Sequence, residues 1–359
     1  MKAGIIGLPR VGKTTIFSLL TKTHVDPLKY STTPNVGIAT VPDPRLYELA
    51  KIYSPKKITP AVIEYVDVAG IAKGEAAKES AYLNAVRTVD MLVHVVRDFK
   101  NDTIPHESGA IDPRKDIETL EFELILSDLA VIEKRLERLV KDLRKVKSKD
   151  YEIEYELLKR LKAALETEQP LRTLKLSEDE ERRVKGFTFL SAKPVLYAVN
   201  LGENEISKMR NLAEECGLRK FEGMPNTTMV GLSARIEREL AELPPDESEA
   251  FLKELGFQET AIDRLITETY RLLNLMTFLT AGEPEVRAWS VKRNSTAPKA
   301  AAAIHSDFER GFIRAEVVKY NDLITLRTTA ACRDKGLLRL EGKEYIVQEG
   351  DVILFRFNV

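Results

Sequence analysis

Five short, continuous apolar runs lie in the first two-thirds of the chain, at residues 3–6, 62–66, 91–96, 195–199 and 228–231. Continuous rather than alternating hydrophobicity marks strands buried on both faces. Helical patterns separate them, and that alternation predicts an α/β sheet with helices on its faces. One stretch departs from it. Ile125, Leu129, Ile132, Leu136, Leu139, Leu143 and Val146 recur at spacings of four and three through a highly charged segment, which is a heptad seam. Beyond the polar Ser148-Lys149-Asp150, the positions Ile153, Leu157, Leu161 and Leu165 define a second helix that must stop at Gln169-Pro170, because proline cannot continue the hydrogen-bond ladder. The two together predict an antiparallel helical hairpin projecting from the sheet. Ser177 with Glu180 forms a capping box for a short helix after it. Toward the C-terminus, alternating runs at 285–291 and 352–357 surround one expected helix, roughly 299–308, and predict a separate small α+β domain.

At 359 residues the chain exceeds the length at which single cores stop growing, so two or three domains are expected. A net charge of -1 excludes a surface uniformly coated in basic residues, so any nucleic-acid contact must be regional and none with DNA is expected. Cys216 and Cys332 lie too far apart in sequence for a disulfide framework or a metal-ligand cluster, and are read as reduced thiols. No apolar run approaches the roughly 20 residues of a membrane span. With no signal peptide expected ahead of the first strand, the protein is read as cytoplasmic and without membrane contact.

The first chemistry is at the N-terminus. Gly7-Leu8-Pro9-Arg10-Val11-Gly12-Lys13-Thr14 satisfies G-x-x-x-x-G-K-[ST], and it lies between a predicted strand and a predicted helix, where the motif must lie. Glycines let backbone N–H groups converge on phosphates, in a cradle running from Gly7 to Thr15. Lys13 brings charge to the β and γ groups, and the Thr14 hydroxyl can ligate Mg2+. A second predicted strand delivers Asp67-Val68-Ala69-Gly70. There Asp67 would hold magnesium through water and the Gly70 amide would sense the γ-phosphate. Ile71 follows in place of the glutamine that orients attacking water in Ras-like enzymes, so water positioning must come from elsewhere. The histidines are His24, His94, His106 and His305. His94 sits in an apolar strand and reads as core, whereas His106 lies in the loop after that strand, on the ligand edge of such a sheet.

Base recognition is the next question. A guanine-specific site needs N-K-x-D at the end of a later strand, because its aspartate accepts from two donors on the guanine edge. Here the position reads Asn200-Leu201-Gly202-Glu203, without the lysine and with an acid one methylene longer. That removes the reason to prefer guanine without itself selecting adenine. Leu232-Ser233-Ala234 follows the next strand and fits the loop that closes over a base.

These residues resemble the YchF family, the Obg-like ATPases within the translation-factor class of P-loop GTPases. Besides the phosphate loop, the resemblance rests on Pro34-Asn35-Val36-Gly37, Asp67 to Gly70 with Lys73-Gly74, Val93 to Arg97, Asp116-Ile117-Glu118-Thr119 and Asn200 to Glu203. It continues through Thr280-Ala281-Gly282, Arg287-Ala288-Trp289, the stretch from His305 to Glu316, and the ending Phe355 to Val359. The resemblance implies a P-loop NTPase G domain at 1–115 and 187–275, interrupted by a helical coiled-coil insertion at 116–186. A C-terminal β-grasp (TGS) domain is implied at 276–359. It further implies magnesium-dependent hydrolysis of ATP in preference to GTP, ribosome association, and a loop histidine assisting water attack at His106. Three departures mark a divergent paralogue. Arg10 and Thr14 replace the asparagine and serine usual in the family's loop. The switch continues as Glu75-Ala76-Ala77-Lys78-Glu79-Ser80, without later glycines. Ser31-Thr32-Thr33 stands where the family has T-I-E, which leaves the magnesium-ligating hydroxyl of the first switch ambiguous, with Thr32 as its candidate.

Arg10 admits two readings: an internal arginine finger replacing a potassium ion between the phosphates, or a solvated surface charge. The segment 131–149 carries eight Lys/Arg against three acids, a basic arm suited to ribosomal RNA or, equally, a solvated helical face. Three functions stay open: an ATPase switch on the ribosome, a GTPase on the same scaffold, and a nucleotide-binding regulatory module with little hydrolysis.

Overall fold

The computed structural model describes residues 1–23, 35–68, 76–106 and 109–358, with the backbone alone at 76–81. The chain forms two compact units, Met1–Gly37 with Glu64–Leu265, and Ile38–Ile63 with Ile266–Val359. In chain order the described strands are β1 (Lys2–Ile6), β2 (Asn35–Thr40), β3 (Ile58–Thr59), β4 (Val62–Asp67), β5 (Met91–Asp98), β6 (Val195–Leu201), β7 (Thr227–Leu232), β8 (Leu275–Ala281), β9 (Val286–Lys292), β10 (Phe312–Lys319), β11 (Arg339–Glu341) and β12 (Asp351–Phe357). The helices needed below are α1 (Lys13–Thr21), α2 (Pro44–Tyr53), α3 (Ala76–Arg87), α4 (Pro113–Lys145), α5 (Lys149–Glu166) and α6 (Glu178–Val184).

Each of the five apolar runs is a strand, extended by one or two residues. They join β2 in a sheet of order β2-β4-β1-β5-β6-β7. β1 pairs in parallel with β4 and β5, β5 with β6, and β6 with β7. Parallel register is what assembles the site. Ile5 lies opposite Asp67, Ile6 opposite His94, Arg97 opposite Asn200, and Asn200 opposite Leu232, so the C-terminal ends of these five strands meet at one edge. Ligands of open α/β sheets bind at that edge. The strands are continuous in hydrophobicity because both faces are covered: Val66, Leu92, Val96, Val195, Tyr197 and Val199 belong to one core cluster, and Ile5, Val93, Val95, Leu196 and Ala198 on the opposite face are fully buried too.

Helix α4 begins earlier than the seam alone indicates. Asp112 accepts from the Lys115 amide and Pro113 occupies the first turn, a strong N-terminal signature. Ile117, Leu120 and Leu124 pack into the sheet cluster, and only from Ile125 onward does the helix join the hairpin cluster with Leu157, Leu158, Leu161 and Leu165. The first turns of the expected insertion at 116–186 are therefore packed with the sheet. Along α4 the packed cluster reaches Leu139, and Val146 lies beyond the helix and is exposed. Arg135 donates both Nε and Nη2 to Glu154 at 2.7 Å, pairing α4 with α5. At the hairpin base Asp128, fully buried, accepts from the Leu190 and Ser191 amides at 2.8 Å and from Ser191 Oγ at 2.7 Å. The capping box on α6 is present as expected.

The second unit is a mixed sheet of order β11-β10-β12-β8-β9-β3 with short helices packed on it, a β-grasp arrangement. β12 runs parallel to β8, while β8–β9 and β10–β12 are antiparallel. The single helix expected near 299–308 is two, Ala297–Ala302 and Ser306–Arg310. The second has its own cap, His305 accepting from the Asp307 amide, which separates it from the first. Residues 38–63, read from sequence within the first domain, form part of this unit. β3 extends the sheet by pairing Ile58 and Thr59 with Val286 and Arg287, and α2 buries Leu46 and Leu49.

Candidate functional site

Residues 7–12 turn off the end of β1 into α1. Two glycines there are demanded by close approach. Gly7 sits at φ +148°, where a Cβ would collide with the Val95 carbonyl oxygen of β5. Gly12, at φ +103°, caps α1, and a Cβ there would come within 2.6 Å of Asn200 Nδ2. Any side chain at either place would push the loop off the sheet edge. The amides that the loop and first helical turn leave unpaired gather where the helix dipole favours anions. Lys13 Nζ folds back and donates to the carbonyl oxygens of Gly7 at 3.0 Å and Leu8 at 2.8 Å, which holds its charge at the loop. Val11 is buried, Leu8 and Pro9 are half-buried, and Arg10 and Thr15 are exposed. Arg10 has φ +62°, a left-handed conformation that asparagine adopts far more readily than arginine.

Beside the loop, Thr14 Oγ1 donates to Asp67 Oδ2 at 3.1 Å. Burial pushes the Asp67 carboxyl above the usual carboxylate range, opposed by the Thr14 bond, the Lys13 charge and a hydrogen bond from the Asn35 side chain. A buried carboxylate beside a hydroxyl is a donor set of the kind hard divalent cations take, so these residues fit a nucleotide-associated metal. Asn35 has no distinguishing spacing in the sequence, and it is named there only as part of the resemblance. Thr32 and Gly70, the other two residues expected around the γ-phosphate and metal, lie outside the described residues, as does Ile71.

The side where a base is expected is organised by Asn200. Its Nδ2 donates to the Val11 carbonyl at 3.0 Å and its Oδ1 accepts from the Ala234 amide at 3.1 Å, so one buried amide ties the phosphate loop to the Ser233-Ala234 turn. Leu201 alternates to the other face of β6 and enters the core cluster, and Leu232 is fully buried. Glu203 is partly exposed and pairs with Arg235 Nη1 at 2.7 Å, a partner sequence reading did not identify.

His94 is buried as read from sequence. His106 is not an open loop residue: its ring is 5% exposed, and Nε2 lies 2.9 Å from Asp116 Oδ2. Arg97, at the end of β5, donates Nε to the Phe99 carbonyl at 3.1 Å and Nη2 to the Ile104 carbonyl at 2.9 Å, bracing the loop that leads to His106. Neither Arg97 nor Asp116 stands out by spacing, although both fall within stretches that carry the resemblance.

A phosphate loop between β1 and α1, an acid at the end of the neighbouring strand and a turn clasped to the loop through Asn200 define a P-loop nucleotide hydrolase. Comparison with known proteins agrees at every level. The family described as 50S ribosome-binding GTPase matches residues 2–133, and the YchF GTPase C-terminal family, described as of unknown function, matches residues 275–358. The Ribosome-binding ATPase YchF of Bacillus subtilis (strain 168) is 46% identical over 365 residues, covering 100% of both chains. That of Escherichia coli O157:H7 is 39% identical over 364 residues, covering 100% of this chain and 99% of its own. Among solved structures, the Schizosaccharomyces pombe YchF GTPase superposes with a TM-score of 0.86 at 33% identity, covering 99% of this chain and 97% of its own. The chain belongs to the YchF family. Among the described residues, no helix is long and apolar enough to cross a membrane.

Proposed function

We propose that this chain is a magnesium-dependent nucleoside triphosphatase that prefers ATP to GTP and works as a nucleotide switch on the ribosome. The observation that carries the base preference is the end of β6. Leu201 is committed to the core, and Glu203, one methylene longer than the guanine-reading aspartate, is engaged by Arg235. A site built to read guanine depends on a carboxylate held free for two donors, and losing that pairing costs such a site most of its selectivity. The name Ribosome-binding ATPase borne by the Bacillus subtilis and Escherichia coli relatives supports the same reading.

On this reading the Gly7–Thr15 loop and Lys13 cradle the phosphates, while Asn200 and the turn Leu232-Ser233-Ala234 frame the base. Thr14 and Thr32 would hold magnesium directly and Asp67 through water; the bound ion neutralises charge on the β- and γ-oxygens. The Gly70 amide reads the γ-phosphate, His106 orients the attacking water in place of the missing glutamine, and Arg10 supplies positive charge between the phosphates. The basic face of the hairpin, with Lys141, Arg144 and Lys145 exposed near its tip, supports contact with ribosomal RNA.

A second reading, hydrolysis of GTP on the same scaffold, is favoured by the description of the Schizosaccharomyces pombe structure as a GTPase. Displacement of a fluorescent nucleotide by ATP and by GTP separates the two. Tighter competition by ATP is expected, and equal or tighter competition by GTP refutes the preference. Phosphate release by the wild type, abolished in Lys13→Ala, separates both from a module that only binds nucleotide.

A further inference from the structure

We propose that Asp116 is the positioning residue for His106, fixing which imidazole nitrogen carries the proton and holding the ring at the ligand edge of the sheet. The proposal rests on the reading of His106 as the side chain that orients attacking water. The pair is buried, with 5% of the His106 side chain and 3% of that of Asp116 exposed, and the contact is 2.9 Å. An ionised carboxylate can only accept, so against Asp116 the Nε2 atom donates. A histidine that orients water must be held in one orientation, and a third group bonded to its ring is the recurring way to hold it.

The carboxylate is itself held. Asp116 sits in the first turn of α4, behind the Asp112 cap and Pro113, and its neighbours Ile117 and Leu120 are locked into the sheet core. The loop between β5 and His106 is braced from the other side. The Arg97 guanidinium stacks over the Phe99 ring at 4.4 Å, bonds the Phe99 and Ile104 carbonyls, and presents its charge toward Asp116. Arg97 Nη1 is buried and has no hydrogen-bond partner among the described residues, so holding the guanidinium there carries a desolvation cost. The same α4 extends into the hairpin, so the position of His106 is tied to the element that would contact a large partner.

The test uses the full-length chain, steady-state phosphate release and long-range nitrogen NMR of the imidazoles. Only four histidines need assignment, with His106→Ala as the blank. Wild type should display the Nε2–H tautomer at His106. In Asp116→Asn the amide can either donate or accept, so the tautomers should mix and kcat should fall roughly tenfold or more, with KM for nucleotide within about twofold. Asp116→Glu should recover part of the loss, and the double variant Asp116→Asn/His106→Ala should be no slower than His106→Ala. Wild-type or faster turnover in Asp116→Asn, with His106→Ala impaired, overturns the proposal, as does a fall in kcat with the tautomer unchanged. Unimpaired turnover in His106→Ala removes instead the reading of His106, and this proposal with it.

Discussion

Arg10 is the residue whose backbone argues most directly about function. At φ +62° an arginine is held where asparagine would sit with less strain, at a cost on the order of 1 kcal/mol. Arg10→Asn is therefore expected to leave stability unchanged or slightly raised while making hydrolysis potassium-stimulated, whereas wild-type turnover should be comparable in sodium and potassium. Strong potassium dependence of the wild type would leave Arg10 as a surface charge. His94 makes a different prediction. Burial, with the charges of Lys13 and Arg172 nearby, pushes its imidazole down from 6.5 to about 3. Between those values the unfolded chain binds a proton the native chain lacks, so this contribution to stability is complete above pH 6.5 and is lost as pH falls toward 3, by up to about 1.4 kcal/mol per unit. Urea unfolding of His94→Gln should show a shallower decline between pH 6.5 and 4.5 than wild type, and parallel declines would contradict the assignment.

Among the elements, α4 is the one that serves two cores. Its first three turns complete the sheet, and its remainder pairs with α5, so the hairpin cannot pivot freely at its root. The Asp128 clasp fastens the same junction. Removing the carboxylate leaves two amides and a hydroxyl without an acceptor in a fully buried place. Asp128→Ala should destabilise by about 3–5 kcal/mol, and Ser191→Ala, which removes one of the three donors, by about 1 kcal/mol, as read from urea or thermal unfolding. Comparable costs for the two would mean that the carboxylate is not the organising group. The clasp was invisible in the sequence because Asp128 and Ser191 are far apart along the chain and ordinary in type. The heptad seam between Ile125 and Leu143 was legible because helical periodicity is a local property.

For the whole molecule, the consequential charge pattern is the hairpin. A net charge of -1 over the chain coexists with eight basic residues against three acids at 131–149. If that arm contacts ribosomal RNA, neutralising Lys141, Arg144 and Lys145 to glutamine should weaken ribosome co-sedimentation and flatten its logarithmic salt dependence by about 2–3. Co-sedimentation insensitive both to salt and to these substitutions would place the contact elsewhere. None of the three lies at the phosphate loop, so hydrolysis without ribosomes should stay at the wild-type rate.

The phosphate loop, the five parallel strands and the hairpin follow from local patterns: glycine spacing ahead of a helix, apolar runs too continuous for an exposed strand, and a period of 3.5 residues. Family membership follows from motifs spread along the chain. The partners could not be read this way. Asn200, expected in the base motif, also clasps two loops, Glu203 is paired to Arg235, and His106 is held by Asp116. Ile58 and Thr59, read with the first domain, add a strand to the second sheet. Each of these depends on strand order, register and the burial of particular atoms, which arise only when distant segments exclude water together, and no window along the chain records that.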